Sequence, residues 1–139
     1  MTVNISKFSK DAFEEAKPFT PTDPLGEELE GVVIWVRSSK AKEPAVIVER
    51  TTNELNNRQW EAQKTGKLKI ISFKRIESLD IDLACSVVTN FEGISTNSGP
   101  LEYSDENKRF LLSEYEWLRK QILEKANEVD FFYKNESMD

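Results

Sequence analysis

The length, composition and charge of the chain exclude several classes of protein. Its 139 residues fit a single domain, and its 38% hydrophobic and 32% charged residues are typical of a soluble globular protein. The net charge of −6 disfavours nucleic-acid binding, and one cysteine with no histidine excludes an internal disulfide, cysteine-based metal clusters and histidine catalysis.

The N-terminal third predicts a short β-ribbon. Residues 31–37 (GVVIWVR) are the clearest strand because β-branched and aromatic residues dominate them, and we expect Trp35 in the core. A single strand cannot satisfy its own backbone N–H and C=O groups, and the nearest extended partner is residues 17–22. Residues 24–27 (PLGE) form a turn signal between the two.

Two helices are predicted in the middle of the chain. The first spans about residues 42–64 and is strongly polar, with apolar residues recurring seven apart, as at Val48 and Leu55. The second spans about residues 78–91 and carries apolar residues three and four apart on one face. Residues 67–76, between these helices, are ambiguous: Leu68 and Ile70 alternate with lysines as in a strand, but the pattern breaks at Ile71.

A third helix, over about residues 105–127, has the strongest helical pattern in the chain. Ser104 is a suitable N-cap, and acidic residues follow it in the first turn. Phe110 and Trp117 form a second apolar line beside the main stripe. The main stripe, which we expect in the core, consists of Leu111, Tyr115, Leu118, Ile122, Ala126 and Val129.

These elements predict an α+β fold that is mostly α. A short N-terminal β-ribbon packs on three main helices (about 42–64, 78–91 and 105–127). We expect residues 1–16 to form a partly ordered N-terminal arm, residues 17–133 a single domain, and residues 134–139 a frayed tail.

The polar residues of the chain do not form a recognisable catalytic or metal site. Asp80 and Asp82 stand two apart on a helix and therefore face different directions, so an acidic helix start explains them better than a catalytic pair. Cys85 lies in an apolar helical stretch, where a core residue or inert thiol is favoured over a nucleophile. We therefore expect no catalytic residue, no metal and no cofactor, and predict that the protein is not an enzyme.

Aromatic residues are the best candidates for contacts with a partner, because tryptophan and tyrosine are enriched among the residues that dominate binding energy. The aromatic cluster at residues 131–133 leaves two alternatives open: it folds back onto the core, or it contacts another subunit. The candidate partner-binding residues are Trp60, Phe110, Trp117, Phe131, Phe132 and Tyr133.

Taken in order, the segments of residues 17–133 resemble the tail assembly chaperones of long-tailed bacteriophages with non-contractile tails, the lambda-like group. Two positions depart from that pattern: relatives often carry tryptophan near Phe91, and often an arginine shortly before the closing aromatic residues. The matching segments are the PLGE turn, the strand GVVIWVR with the two serines after it, the helix DLACSVVTNFEGI, the loop GPL, the helix start YSDEN, the run YEWLRKQI and the closing Phe131-Phe132.

The resemblance implies a morphogenetic factor that is absent from the finished virion. Such chaperones bind the long, helix-rich tape measure protein, keep it soluble and help recruit tail tube subunits, often through a longer form made by ribosomal frameshifting. Amphipathic helices on an acidic domain suit contacts with a helical client, and repeated weak contacts favour a homo-oligomer such as a ring or spiral. The expected location is the cytoplasm of the infected bacterial host.

Two other functions remain open from the sequence. One is a tail structural or completion protein that stays in the particle. The other is a carboxylate-based enzyme, which would need a deep pocket with converging carboxylates. The chain shows no apolar run of the ~20 residues that span a bilayer and no secretory signal at its start, so we expect no membrane contact.

Overall fold

The computed structural model describes residues 2–65 and 73–133 of the chain. Helices are joined to a small antiparallel sheet, so the predicted α+β, mostly α class is confirmed. The expectations for residues 67–72 and for the tail at 134–139 fall outside the described residues. Within the described parts, no helix is both long enough and apolar enough to cross a membrane.

The sheet has three strands, β1 (Lys17–Phe19), β2 (Val33–Val36) and β3 (Val88–Glu92), in the order β1-β2-β3. Strand β1 pairs antiparallel with β2 and places Phe19 opposite Ile34, so the predicted β-ribbon is confirmed. Strand β3 pairs antiparallel with the other edge of β2. The central strand is therefore hydrogen-bonded on both sides.

The predicted helix at 78–91 is wrong at its C-terminal end. Helix α2 (Phe73–Val87) begins before that range and stops at Val87, and the next residues form β3. The β-branched Val88 and Thr89 favour a strand, and β2 offers backbone groups along its second edge that need partners. Phe91 is buried as expected, at 2% exposure, but it lies on β3 and not on a helix.

Alternate residues of β2 face opposite sides of the sheet. Ile34 and Val36 point to the core and are 1% and 0% exposed. Trp35 points the other way, is only half-buried, and lies in register between Pro18 and Asn90. The expectation that Trp35 belongs to the core was therefore wrong.

Helix α1 (Lys42–Thr65) confirms the predicted 42–64 helix. The helix predicted at 105–127 is instead two helices, α3 (Asp105–Glu114) and α4 (Glu116–Asn127), separated at Tyr115, whose φ is −110° and ψ is 83°.

The break between α3 and α4 leaves carbonyl groups in the last turn of α3 without helical partners. Arg119, which is 5% exposed, donates from Nη1 to the Leu112 carbonyl at 2.9 Å. This side-chain hydrogen bond compensates for the interruption, which explains why a charged residue is buried here. The cap of α3 is as predicted: the Ser104 hydroxyl accepts from the Asn107 N–H at 3.0 Å.

The core lies between the inner face of the sheet and helices α2, α3 and α4. Most of the predicted stripe contributes to it, since Leu111, Leu118, Ile122 and Ala126 are all buried. Val129 is 38% exposed, because α4 ends at Asn127 and the stripe loses its register there. The buried cluster consists of Ile34, Val36, Ala84, Val87, Val88, Phe91, Leu111, Leu112, Leu118, Ile122, Ala126 and Phe132.

The aromatic end folds back onto the domain as helix α5 (Val129–Tyr133). Phe132 is 2% exposed and packs edge-on against Phe13 of the N-terminal arm, with ring centroids 6.5 Å apart. The Tyr133 hydroxyl donates to the Phe8 carbonyl at 3.0 Å. Of the two alternatives for this segment, the structure shows the folded-back one, and the arm lies against it as two short 3-10 turns.

Candidate partner-binding groove

An apolar groove of about 320 Å³ opens where three parts of the chain meet. One wall is the loop between β1 and β2, the second is the end of β3 with the hairpin of β4 (Ser95–Thr96) and β5 (Gly99–Pro100), and the third is the α3–α4 junction. The groove is lined by Pro21, Leu29, Val32, Gly93, Ile94, Ser95, Thr96, Leu111, Tyr115, Trp117 and Leu118.

The loop wall is shaped by a tight turn after Asp23. The Asp23 carboxylate accepts hydrogen bonds from the N–H groups of Leu25 and Glu27, at 2.8 and 3.0 Å. Gly26 has a φ of +90°, a conformation that glycine adopts without steric cost. The turn predicted from the PLGE segment is thereby confirmed, and its folding directs Leu29 towards the groove.

A side-chain clamp ties this loop to α4. The Gln121 amide accepts from the Thr22 N–H at 2.9 Å and donates to the Thr22 carbonyl at 2.7 Å. Both backbone groups of one loop residue are therefore satisfied by a single helix side chain. The clamp holds the loop wall beside Trp117 and Leu118, which line the groove from the same helix.

Two glycines allow the segment after β3 to approach the segment before β2. Gly93, directly after β3, has a φ of +82°, and a Cβ atom there would lie 1.9 Å from the carbonyl oxygen of Gly31. Only glycine permits this approach of the two backbone segments. Gly93 therefore sets the distance between the loop wall and the β3 wall.

Three aromatic side chains form a ladder at the α3–α4 junction. Tyr115 contacts Phe110 and Trp117 edge-on, with ring centroids 6.4 Å apart in both pairs. Tyr115 and Trp117 line the groove, and Phe110 is 46% exposed. The structure thus brings two predicted contact residues, Phe110 and Trp117, to one surface.

The other predicted contact residues lie elsewhere. Trp60 is 61% exposed on α1 and does not line the groove. Phe131 is half-buried, with the Lys125 ammonium 5.0 Å from its ring centroid. Phe132 belongs to the core, and the half-buried Tyr133 holds the N-terminal arm.

The sequence did not indicate the contribution of Tyr115 as a groove residue, because its place in the stripe predicted core. The signal that could have indicated a surface position for Tyr115 was its two acidic neighbours, Glu114 and Glu116, which are both exposed. Leu29 has the same setting, between the exposed Glu28 and Glu30. We refer to Glu28, Glu30, Glu114 and Glu116, the exposed glutamates next to Leu29 and Tyr115 in the sequence, as the acidic rim.

A second, polar surface lies between α1, α2 and α3 around Cys85. Arg109 donates to the Asp82 carboxylate at 2.9 Å. Burial raises the pKa of the Cys85 thiol, against the smaller opposing effect of Arg109 and Lys108. A thiol with a raised pKa is a poor nucleophile. Over residues 2–65 and 73–133, no three His, Cys, Asp or Glu side chains are grouped as metal ligands.

Comparison with known proteins identifies the origin of the chain. The model of the YdaY prophage protein family matches residues 41–139, which is more than half of the chain. The chain belongs to the YdaY prophage protein family. The match begins just before α1 and includes the aromatic ladder, whereas the loop wall of the groove precedes it.

Membership of the YdaY family confirms the phage origin that the resemblance implied. It places the chain among prophage proteins and does not by itself assign a role in tail assembly. No curated protein and no solved structure matches the chain.

Proposed function

We propose that this prophage protein is a tail assembly chaperone. It binds and solubilises the tape measure protein, helps recruit tail tube subunits during tail morphogenesis, and is not retained in the virion. It works without catalysis, in the cytoplasm of the bacterial host. The observation that carries the proposal is an apolar groove lined in part by an aromatic ladder whose Phe110 is exposed, in a protein of prophage origin.

The groove suits contacts with a helical client. An amphipathic helix presents apolar side chains at positions i, i+3 or i+4 and i+7, and a groove can receive one or two of them at a time. A cavity of about 320 Å³ provides a small contact. Binding at a single site is therefore weak, and a long client becomes coated through many such sites, whose combined avidity exceeds each affinity.

Co-purification with the tape measure protein of the same prophage tests the proposal. A tagged wild-type chain is expected to retain the co-expressed tape measure protein, and Trp117→Ala to lose most of it, because Trp117 lines the groove. Trp60→Ala is the matched control, since it removes the same side chain from an exposed position on α1. Circular dichroism checks that both variants fold. Absence of the tape measure protein from the wild-type eluate would contradict the proposal.

Prophage origin is equally consistent with a tail structural or completion protein that stays in the particle. Mass spectrometry of purified virions separates the two functions. A chaperone is absent from the particle or present only in traces, whereas a structural component appears in fixed proportion to the tail tube subunit.

A further inference from the structure

The groove has an uncharged lining, but two of its lining residues have acidic neighbours in the sequence. Its lining residues carry no charged side chain. Leu29 lies between Glu28 and Glu30 in the sequence, and Tyr115 between Glu114 and Glu116. All four residues of the acidic rim are exposed, and none of them forms an ion pair within the described residues.

Basic residues near the groove do not cancel this charge. Arg119 follows the lining residue Leu118, but it is buried and its guanidinium is directed at the Leu112 carbonyl. Lys120 is exposed on the same helix, and these two cations offset only half of the charge of the four glutamates. A partner with flanking cations would gain electrostatic attraction there, and an acidic partner would be repelled.

The size of the groove restricts what enters it. Its volume of about 320 Å³ is at the lower end of the ~300–1,000 Å³ typical of ligand pockets. This suits a few apolar side chains from one face of a helix, with the rest of that helix lying across the exposed Phe110 of the aromatic ladder. The acidic rim, one residue away from Leu29 and Tyr115 in the sequence, would then place negative charge near the residues that border the apolar stripe of the partner.

We propose that the groove binds an amphipathic helix whose apolar stripe is bordered by lysine or arginine residues. This inference rests on the proposed function, because it specifies which segments of the client the chaperone would recognise. The charge of the border selects among apolar helices, and the aromatic ladder supplies the contact area. Affinity therefore depends on salt, because exposed charges are screened over about 10 Å at 0.1 M ionic strength.

Two synthetic peptides of about 20 residues test the inference. They share one helical apolar stripe and differ only at the bordering positions, which are lysine in one peptide and glutamate in the other. With full-length protein at low salt, titration calorimetry is expected to give about tenfold tighter binding of the lysine peptide. The difference shrinks as salt is added.

A pair of matched variants locates the effect. Changing the acidic rim to glutamine (Glu28→Gln, Glu30→Gln, Glu114→Gln, Glu116→Gln) is expected to weaken binding of the lysine peptide about tenfold. The control changes four exposed glutamates away from the groove and alters the net charge equally, so it should change affinity less than about twofold. Its substitutions are Glu49→Gln, Glu77→Gln, Glu106→Gln and Glu124→Gln.

Three results would overturn the inference. Equal binding of the two peptides would show that charge does not select the partner, and equal effects of the two glutamine variants would place the charge elsewhere. Self-association of the wild type that the rim variant abolishes would assign the groove to a second copy of the chain. If the wild-type chain still retains the tape measure protein, any of these results would leave the proposed function intact. If the wild-type chain does not retain it, the proposed function itself is contradicted.

Discussion

Replacement of Gly93 by alanine tests the close backbone approach between Gly93, which lines the groove, and Gly31. The new Cβ atom would lie 1.9 Å from the Gly31 carbonyl oxygen and 2.8 Å from its carbonyl carbon. Both are backbone atoms, so no side chain can rotate away to make room. The segments after β3 and before β2 must therefore move apart.

Gly26 supplies the matched control for this substitution. Its φ is +90°, close to the +82° of Gly93, but a Cβ atom there has no neighbour within 4 Å. Both alanine variants share the cost of a positive φ, about 1–2 kcal/mol. Only Gly93→Ala adds overpacking, which typically costs about 1–3 kcal/mol.

The expected loss in the free energy of unfolding is thus about 1 kcal/mol for Gly26→Ala and about 3 kcal/mol for Gly93→Ala. Urea unfolding followed by circular dichroism measures the difference, and the gap of about 2 kcal/mol corresponds to roughly 6–10 °C in Tm for a domain of this size. Equal losses for the two variants would refute the close contact between Gly93 and Gly31.

Three further predictions concern the core, the loop clamp and the thiol. Phe132→Ala should lower the free energy of unfolding by about 3–5 kcal/mol, since Phe132 is 2% exposed, whereas Phe110→Ala should cost less than about 1 kcal/mol; urea titration compares them. Gln121→Ala removes both hydrogen bonds to the backbone of Thr22, so amide hydrogen exchange in the β1–β2 loop should accelerate, whereas Lys120→Ala should leave it unchanged. Identical exchange in the two variants would refute the clamp. Because folding raises the pKa of Cys85, the folded state holds the thiol proton longer than the unfolded state does, and stability should fall as pH rises above the ordinary thiol pKa of about 8.5. Urea titrations at several pH values above about 8.5 measure this loss of stability, and Cys85→Ala should remove the part of it that comes from the thiol.

Elements with local signals were predictable from the sequence. The pairing of β1 with β2 followed from a β-branched segment, a nearby extended run and a Pro-Gly turn, all within about 20 residues. The cap at Ser104 followed from the residue type and the acidic first turn. These features depend on neighbours in the chain, and so they could be recognised without the tertiary structure.

Strand β3 and the α3–α4 break depend on distant contacts. The apolar spacing from Leu83 to Phe91 continues a helical pattern, but the residues from Val88 onwards form a strand that pairs with the open edge of β2. No glycine or proline marks the break at Tyr115. The break is stabilised instead by Arg119, four residues later, which donates a hydrogen bond to the Leu112 carbonyl. This role cannot be recognised without the tertiary structure.

The candidate site was predictable only in part. The second apolar line beside the main stripe pointed to Phe110 and Trp117, which the fold brings together through Tyr115. The loop wall and Gly93 come from separate segments of the chain, and they lie close together only because β3 pairs with β2. The helical pattern of the sequence did not predict β3. Phe132 shows the opposite case: an aromatic residue near the chain end serves the core because the N-terminal arm packs against it.

The soluble yield of the tape measure protein tests the central claim most directly. The tape measure protein of the same prophage is expressed alone, with the wild-type chain, with Trp117→Ala and with Trp60→Ala, and its amount in the soluble fraction is measured. If the protein is a chaperone that acts through the groove, co-expression of the wild type or of Trp60→Ala should raise the soluble amount several-fold over the tape measure protein alone. Co-expression of Trp117→Ala should not raise it. An unchanged soluble yield with the wild-type chain would contradict the proposed function.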